Sequence, residues 1–172
     1  MTIRTARPED ASAIAEVHVA AWRSAYANLL PAAYLASMST VRHAAQAYQA
    51  ILAGHGVLVA EHGDNVVGFC TMGRSRTPGL ADAEIETLYV LDDYRDQGHG
   101  RALLQAAAIR LAAQGCGSLF LWVLADNPSR FFYERMGGKP VRRGTALVAR
   151  HSFDQLAYAW DPIVRLTAPA SA

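Results

Sequence analysis

A strand, a tight glycine turn and a helix follow one another between residues 84 and 114, and this succession most restricts how the chain can fold. The apolar alternation of 84–91 predicts a strand, and the alanine-rich segment 100–114 predicts a helix. The glycines at 98 and 100 permit positive φ and a close approach of a ligand to the backbone. Several backbone N–H groups and the positive end of the helix dipole then meet at one spot, which suits an anion such as phosphate.

The spacing around this turn narrows the kind of phosphate ligand. A P-loop requires Gly-Lys-Ser/Thr, whereas this chain has Gly100-Arg101-Ala102. A dinucleotide fingerprint requires a third small residue at the position of Leu103. The sequence therefore argues against both a P-loop and a dinucleotide-binding turn. Arg95 and Arg101 could still add charge-assisted hydrogen bonds to the phosphate of another ligand.

The rest of the sequence is predicted to form strands and helices, and the length of the chain is that of an ordinary single domain. Further strands are predicted at 2–7, 57–61, 66–72, 118–124, 141–149 and 153–160, and further helices at 9–27, 41–52 and from 128 to about 136. Asn127 is a good N-cap for the last helix and Pro128 fits its first position.

Two segments together resemble a known family. Arg95-Asp96-Gln97-Gly98-His99-Gly100 is similar to the R/Q-x-x-G-x-G/A signature of the GCN5-related N-acetyltransferases (GNAT), and Phe132 to Gly137 is similar to their F-Y-E-x-x-G segment. Gly138 departs from the family, which usually has an aromatic residue there, and Ser129 stands where Ala is common. The resemblance covers nearly the whole chain.

The resemblance implies an α/β (α+β) fold, with a mixed, largely antiparallel central sheet of six to seven strands flanked by helices on both faces. A single domain over 1–163 with a frayed tail over 164–172 is expected. It also implies an enzyme that transfers an acetyl group from acetyl-CoA to a primary amine of a small molecule or peptide, by direct attack in a ternary complex.

The resemblance implies coenzyme contacts of three kinds: strand-like pairing of the pantetheine arm with backbone, pyrophosphate on the N–H groups of the glycine turn, and a pantetheine contact from an asparagine. The residues are Leu88 and Val90 for the first, Arg95, Gln97, Gly98, His99, Gly100 and Arg101 for the second, and Asn127 for the third. The oxyanion is expected near the backbone N–H of Val90.

Tyr133 is the residue that matches the family's general acid. A phenol of pKa near ~10 stays protonated at neutral pH and can donate to a thiolate of pKa about 8.5. The alternative is a tyrosine that packs under the sheet beside Phe131 and Phe132.

Glu84 and Glu86 lie on one strand face, because side chains alternate with period two. Glu86 is the candidate general base, directly or through a water. A glutamate that only solvates the strand is the alternative.

His18, Trp22 and Tyr26 recur every four residues and share a helix face. Trp22 and Tyr26 are candidates to bind the acceptor, since the first helices of similar proteins close over the substrate end of the cleft. A packed helix face is the competing interpretation.

Composition limits partners and compartment. The net charge is +1, from 16 Lys plus Arg and 15 Asp plus Glu, so neither nucleic acid nor membrane is an expected partner. Cys70 and Cys116 lie outside any CxxC spacing and no metal-ligand spacing occurs, which favours a cytoplasmic protein without a metal site.

Exposed C-terminal strand edges make a homodimer possible. Two other functions stay open: an inactive acyl-CoA sensor and a nucleotide-binding domain.

Overall fold

The computed structural model describes residues 1–167, in which seven strands and five α-helices succeed one another. The strands are β1 (Thr2–Thr5), β2 (Gly56–His62), β3 (Asn65–Arg74), β4 (Ala83–Val90), β5 (Leu119–Leu124), β6 (Lys139–Val148) and β7 (His151–Trp160). The helices are α1 (Ala11–Ala25), α2 (Ala32–Ala36), α3 (Thr40–Leu52), α4 (His99–Ala113) and α5 (Arg130–Arg135). Short 3-10 helices cover Pro8–Asp10, Asp92–Tyr94 and Ile163–Leu166.

The strands form one seven-stranded sheet in the order β1-β2-β3-β4-β5-β7-β6. β4 and β5 run parallel and pair from Ala83–Leu119 to Ile85–Leu121, whereas β1–β2, β5–β7 and β6–β7 are antiparallel. The expected mixed, largely antiparallel sheet is confirmed. It has seven strands, where six to seven were expected.

The chain divides into two compact units, one made of residues 1–71 and 87–103 and the other of 72–86 and 104 onward. In the first unit, α1 packs against β2 and β3 through apolar side chains that face a common core. These are Ile14 and Val17 of α1, Val57 and Val59 of β2, and Phe69 of β3, and Ala6 from the segment after β1 joins the same cluster. The predicted single domain over 1–163 stays a prediction.

One apolar cluster of the second unit is formed by side chains of the paired strands β5 and β7. Phe120 packs with Ala157 and Ala159, and Trp122 lies partly buried against them. Because β5 pairs with β7 over its whole length, from Leu119–Trp160 to Leu124–Gln155, the small alanines of β7 leave room for the large rings of β5.

Most helix boundaries differ from the predictions by one or two residues, and three differences have a visible cause or add an element. α1 begins at Ala11 because Pro8–Asp10 forms a separate 3-10 turn, and α2, after Pro31, was not predicted. α5 begins at Arg130 and not at 128. Its approach is built from i to i+3 hydrogen bonds, such as Arg130 N–H to the Asn127 carbonyl at 3.1 Å, which are the bonds of a 3-10 turn.

The 3-10 helix Ile163–Leu166 packs within the second unit, and the frayed tail expected over 164–172 stays a prediction. Ile163 and Leu166 are buried, and the Ile163 N–H donates to the Gly117 carbonyl at 2.8 Å. The remainder of that prediction, over 168–172, lies outside the described residues. No helix within 1–167 combines the length and the apolar character that a membrane span requires.

Candidate active site

The glycine turn between β4 and α4 has its side chains folded back onto the turn itself. Arg95 forms an ion pair with Asp92 at 2.8 Å, and the Gln97 side-chain amide donates to the Asp93 carbonyl at 2.8 Å. Gly98 has a φ of 88°. This left-handed backbone is strained for any residue with a Cβ, which explains the glycine.

The backbone of this turn offers donors to a ligand. The α4 ladder opens with the bond from the Ala102 N–H to the Gly98 carbonyl at 2.9 Å. The N–H groups of His99, Gly100 and Arg101 therefore have no carbonyl inside the helix. A Cβ built at Gly98 would meet nothing within 4 Å, and the side chain of Arg101 is exposed. Open space, free donors and the positive helix end fit a phosphate-bearing ligand.

The side chain of His99 points away from that open space. It is 2% exposed, its Nδ1 lies 3.2 Å from the Tyr94 carbonyl, and its ring lies 5.6 Å from the ring of His62. Because a carbonyl only accepts hydrogen bonds, Nδ1 carries the proton; Nε2 has no partner within residues 1–167. His99 can therefore offer an anion its backbone N–H, but not its imidazole ring.

The coenzyme positions expected on β4 lie next to a close backbone contact. Val90 is buried and Leu88 is half-buried. A Cβ at Gly68 would lie 2.9 Å from the Tyr89 carbonyl oxygen and 3.1 Å from Val90 Cγ2, so that β3 approaches this part of β4 as only a glycine allows.

The two carboxylates of β4 do lie on one face, and a single arginine links them. Arg76 Nη2 and Nε donate to Glu84 at 2.9 and 3.1 Å, and its backbone N–H donates to the same carboxylate at 3.3 Å. Arg76 Nη1 lies 3.6 Å from Glu86 Oε2. Glu84 is 4% exposed whereas the Glu86 side chain is 37% exposed. Of the two carboxylates, that of Glu86 is therefore the more accessible from outside the protein.

Tyr133 lies on α5 and is 7% exposed. Its ring contacts that of Phe132 edge-on at 5.2 Å and lies 6.4 Å from the rings of both Tyr158 and Trp160. The phenol belongs to an aromatic group of the second unit, while Phe131, its predicted packing neighbour, is exposed.

Asn127 does not cap α5 directly, which corrects the prediction. Its Oδ1 accepts from the Ser129 N–H at 2.9 Å, and Ser129 occupies the N-cap position. The asparagine thus closes the turn that precedes the helix, a common use of this side chain.

The predicted acceptor residues are part of an aromatic group in the first unit. Tyr26 is buried, its ring lies 4.7 Å from that of Trp22, and Trp22 Nε1 donates to the Tyr89 hydroxyl at 2.9 Å. His18 joins them, with its ring 4.3 Å from that of His43. This burial favours the packed helix face over an acceptor surface at Tyr26.

Two residues at the site were not found from the sequence. Arg76 lies in a loop, and no pattern indicated that it returns to β4. Tyr158 had a usable signal, since it alternates with Trp160 in a predicted strand and the two must share a face.

The chain matches known proteins over most of its length. The family model of the Acetyltransferase (GNAT) family matches residues 15–138. The uncharacterized N-acetyltransferase YuaI of Bacillus subtilis (strain 168) is 33% identical over 168 residues, which are 96% of each chain.

Solved structures show the same fold. A GCN5-related N-acetyltransferase from Rhodopseudomonas palustris superposes with a TM-score of 0.73 at 24% identity, covering 93% of this chain and 94% of that one. YncA from Salmonella typhimurium, solved with its cofactor acetyl-CoA, superposes with a TM-score of 0.71 at 19% identity, covering 100% and 96%. The family match, the similarity to YuaI and the shared fold agree, and the chain belongs to the GNAT family of acetyltransferases.

Proposed function

We propose that this protein transfers an acetyl group from acetyl-CoA to the primary amine of a small molecule or peptide, by direct attack of the amine in a ternary complex. The glycine turn carries the proposal. Its open side at Gly98 and the N–H groups of His99 to Arg101 suit the pyrophosphate of coenzyme A, and a neighbour in fold, YncA, was solved with acetyl-CoA.

The acceptor must first lose a proton. At pH 7, removing it from a lysine-like amine costs about 4.6 kcal/mol, from a pKa near ~10.4 at about 1.36 kcal/mol per unit. Glu86, whose side chain is 37% exposed, takes this proton directly or through a water. As the nitrogen–carbon bond forms and the carbon–sulfur bond breaks, Tyr133 donates its phenolic proton to the departing thiolate. The nitrogen then releases its second proton to water as the amide forms, and the phenolate takes a proton back from water.

The activity is tested by thiol release from acetyl-CoA with spermidine, L-lysine, an alanyl dipeptide and an aminoglycoside as acceptors. We expect at least one amine to raise the release of free thiol well above the rate with water alone. Tight binding of acetyl-CoA without thiol release for any amine would instead favour the inactive acyl-CoA sensor.

The coenzyme site is tested by Gly98→Glu, which places a negative charge and a side chain on the open side of the turn. We expect calorimetry to detect no acetyl-CoA binding, with an unchanged circular dichroism spectrum. Gly54→Glu is the matched control, because Gly54 has a φ of 75° and nothing within 4 Å of its added Cβ. Both substitutions carry a backbone strain of about 1–2 kcal/mol. Wild-type affinity in Gly98→Glu would contradict the assignment.

A further inference from the structure

The short helix that carries Tyr133 is held by two side chains of β7. The Tyr158 hydroxyl donates to Glu134 Oε1 at 2.6 Å, and Trp160 Nε1 donates to the Met136 carbonyl at 2.9 Å. Both acceptors belong to residues within three positions of Tyr133. Since side chains of one strand alternate with period two, Tyr158 and Trp160 reach the helix from the same face of β7.

The turn after α5 is shaped around the Trp160 indole. A Cβ at Gly138 would lie 2.8 Å from Trp160 Cζ2 and 2.9 Å from the Tyr133 carbonyl oxygen, closer than such atoms pack. The Gly138 N–H donates to that same carbonyl at 2.9 Å. Glycine at 138 therefore lets the chain close on the indole while it keeps the hydrogen bond to the backbone of Tyr133.

Both β7 rings are buried in the second unit. Trp160 is fully buried and Tyr158 is 1% exposed. Burial, together with the hydrogen bond to Glu134, raises the pKa of the Tyr158 phenol, so that the hydroxyl remains a donor at neutral pH. The ring of Tyr133 lies 6.4 Å from each of them.

A six-residue helix has too few internal hydrogen bonds to fix its own orientation, and tertiary contacts must do so. We propose that Tyr158, through Glu134, and Trp160, through the Met136 carbonyl, are positioning residues that set the Tyr133 phenol for proton donation. The inference rests on the proposed function, in which Tyr133 is the general acid. A misplacement of about 1 Å at such a group can cost on the order of 100-fold in rate.

The test is a double-mutant cycle with Tyr158→Phe and Tyr133→Phe. It is assayed by thiol release with acetyl-CoA and the best amine of the panel, or with acetyl-CoA and water if no amine reacts. Tyr158→Phe keeps the ring and removes only the hydroxyl, which donates to Glu134 and also interacts with the Arg130 side chain. We expect it to lower kcat about tenfold while KM for acetyl-CoA stays within about twofold. In the Tyr133→Phe background the same change should alter kcat by less than about twofold, because the group being positioned is gone.

Two further variants separate positioning from stability. Glu134→Gln retains an oxygen that accepts from the Tyr158 hydroxyl and should keep kcat within about twofold, whereas Glu134→Leu should match Tyr158→Phe. Tyr48→Phe, on the exposed side of α3, is the control for loss of a hydroxyl elsewhere. Melting temperatures are recorded for every variant.

The outcomes are distinguishable. An equal loss of kcat from Tyr158→Phe in both backgrounds, or a lowered melting temperature with unchanged kcat, would overturn the positioning role and leave the proposed function intact. Wild-type kcat in Tyr133→Phe would overturn the role of Tyr133 as general acid and the inference with it. Absence of any thiol release would overturn both.

Discussion

At the scale of single residues, Glu84 and Glu86 are two glutamates on one strand face that differ in burial and in hydrogen bonding. Both face Arg76, but Glu84 receives three hydrogen bonds from that residue and is buried, while Glu86 keeps much of its carboxylate in water. The alternation of side chains along a strand predicts that Glu84 and Glu86 share a face, but it does not predict how buried each one is. Burial depends on which residues of the loop before β4 cover each side chain.

This difference yields a paired prediction. Glu86→Gln should lower kcat by on the order of 100-fold, because it removes the proposed general base, with an unchanged melting temperature. Glu84→Gln should do the reverse. It weakens the hydrogen bonds of a buried group and should lower the free energy of unfolding by about 1–3 kcal/mol. Steady-state thiol release and urea denaturation measure the two effects, and a catalytic defect confined to Glu84→Gln would show that the base was misassigned.

At the scale of elements, the approach to α5 departs from what its sequence indicates. Asn127-Pro128 has the residues of a helix start, yet the chain first makes a turn in which Asn127 Oδ1 binds the Ser129 N–H. Asparagine closes such turns as readily as it caps helices, so the residue types alone do not choose between them. The existence of the helix was predictable, and its first residue was not.

Two substitutions separate the structural role of Asn127 from its proposed role in binding the coenzyme. Asn127→Asp keeps the oxygen that accepts from Ser129, so it should lose less stability than Asn127→Ala, which should lose about 0.5–2 kcal/mol. Because Asp lacks the amide NH₂ and adds a negative charge, we expect weaker acetyl-CoA binding in calorimetry for Asn127→Asp. Unchanged affinity in that variant would leave Asn127 with the turn alone.

At the scale of the whole molecule, the sequence predicted features that depend on neighbours along the chain. The strands β2 and β3, the strand before the glycine turn and the long helix after it all follow from periodicity and turn residues. Features set by distant segments were not predictable. His99 belongs to the glycine motif, yet its ring is buried against His62 of β2, a contact for which no local pattern exists.

The same limit applies to the aromatic face of α1, where the spacing of His18, Trp22 and Tyr26 predicted a shared face but not its neighbours. The structure adds His43 of α3 at 4.3 Å and Tyr89 of β4 at 5.3 Å from the ring of His18. Burial first, and then the proximity of His43, lowers the pKa of His18 to about 4. Burial also lowers the pKa of His43.

These histidines make the stability of the protein depend on pH. In the unfolded chain a histidine titrates near ~6.5, so between that value and about 4 the unfolded state binds more protons than the folded state. The free energy of unfolding should therefore fall as pH is lowered through this window, by at most about 1.4 kcal/mol per pH unit for His18. The pKa of Asp10 is lowered mainly by its hydrogen bonds to Arg4, and its contribution is lost only below about pH 3.9, outside the window.

His18→Phe tests this linkage, because it keeps a ring on α1 and removes the titrating group. Urea denaturation between pH 4 and pH 6.5 should show a smaller dependence of the midpoint on pH in His18→Phe than in the wild type. His55→Phe, an exposed histidine beyond α3, is the matched control and should retain the wild-type dependence. Equal slopes in His18→Phe and the wild type would mean that His18 is protonated in the folded protein as readily as in the unfolded chain. In that case the aromatic face would have to admit water around the imidazole, since a charged ring needs hydration or a counter-ion to stay buried.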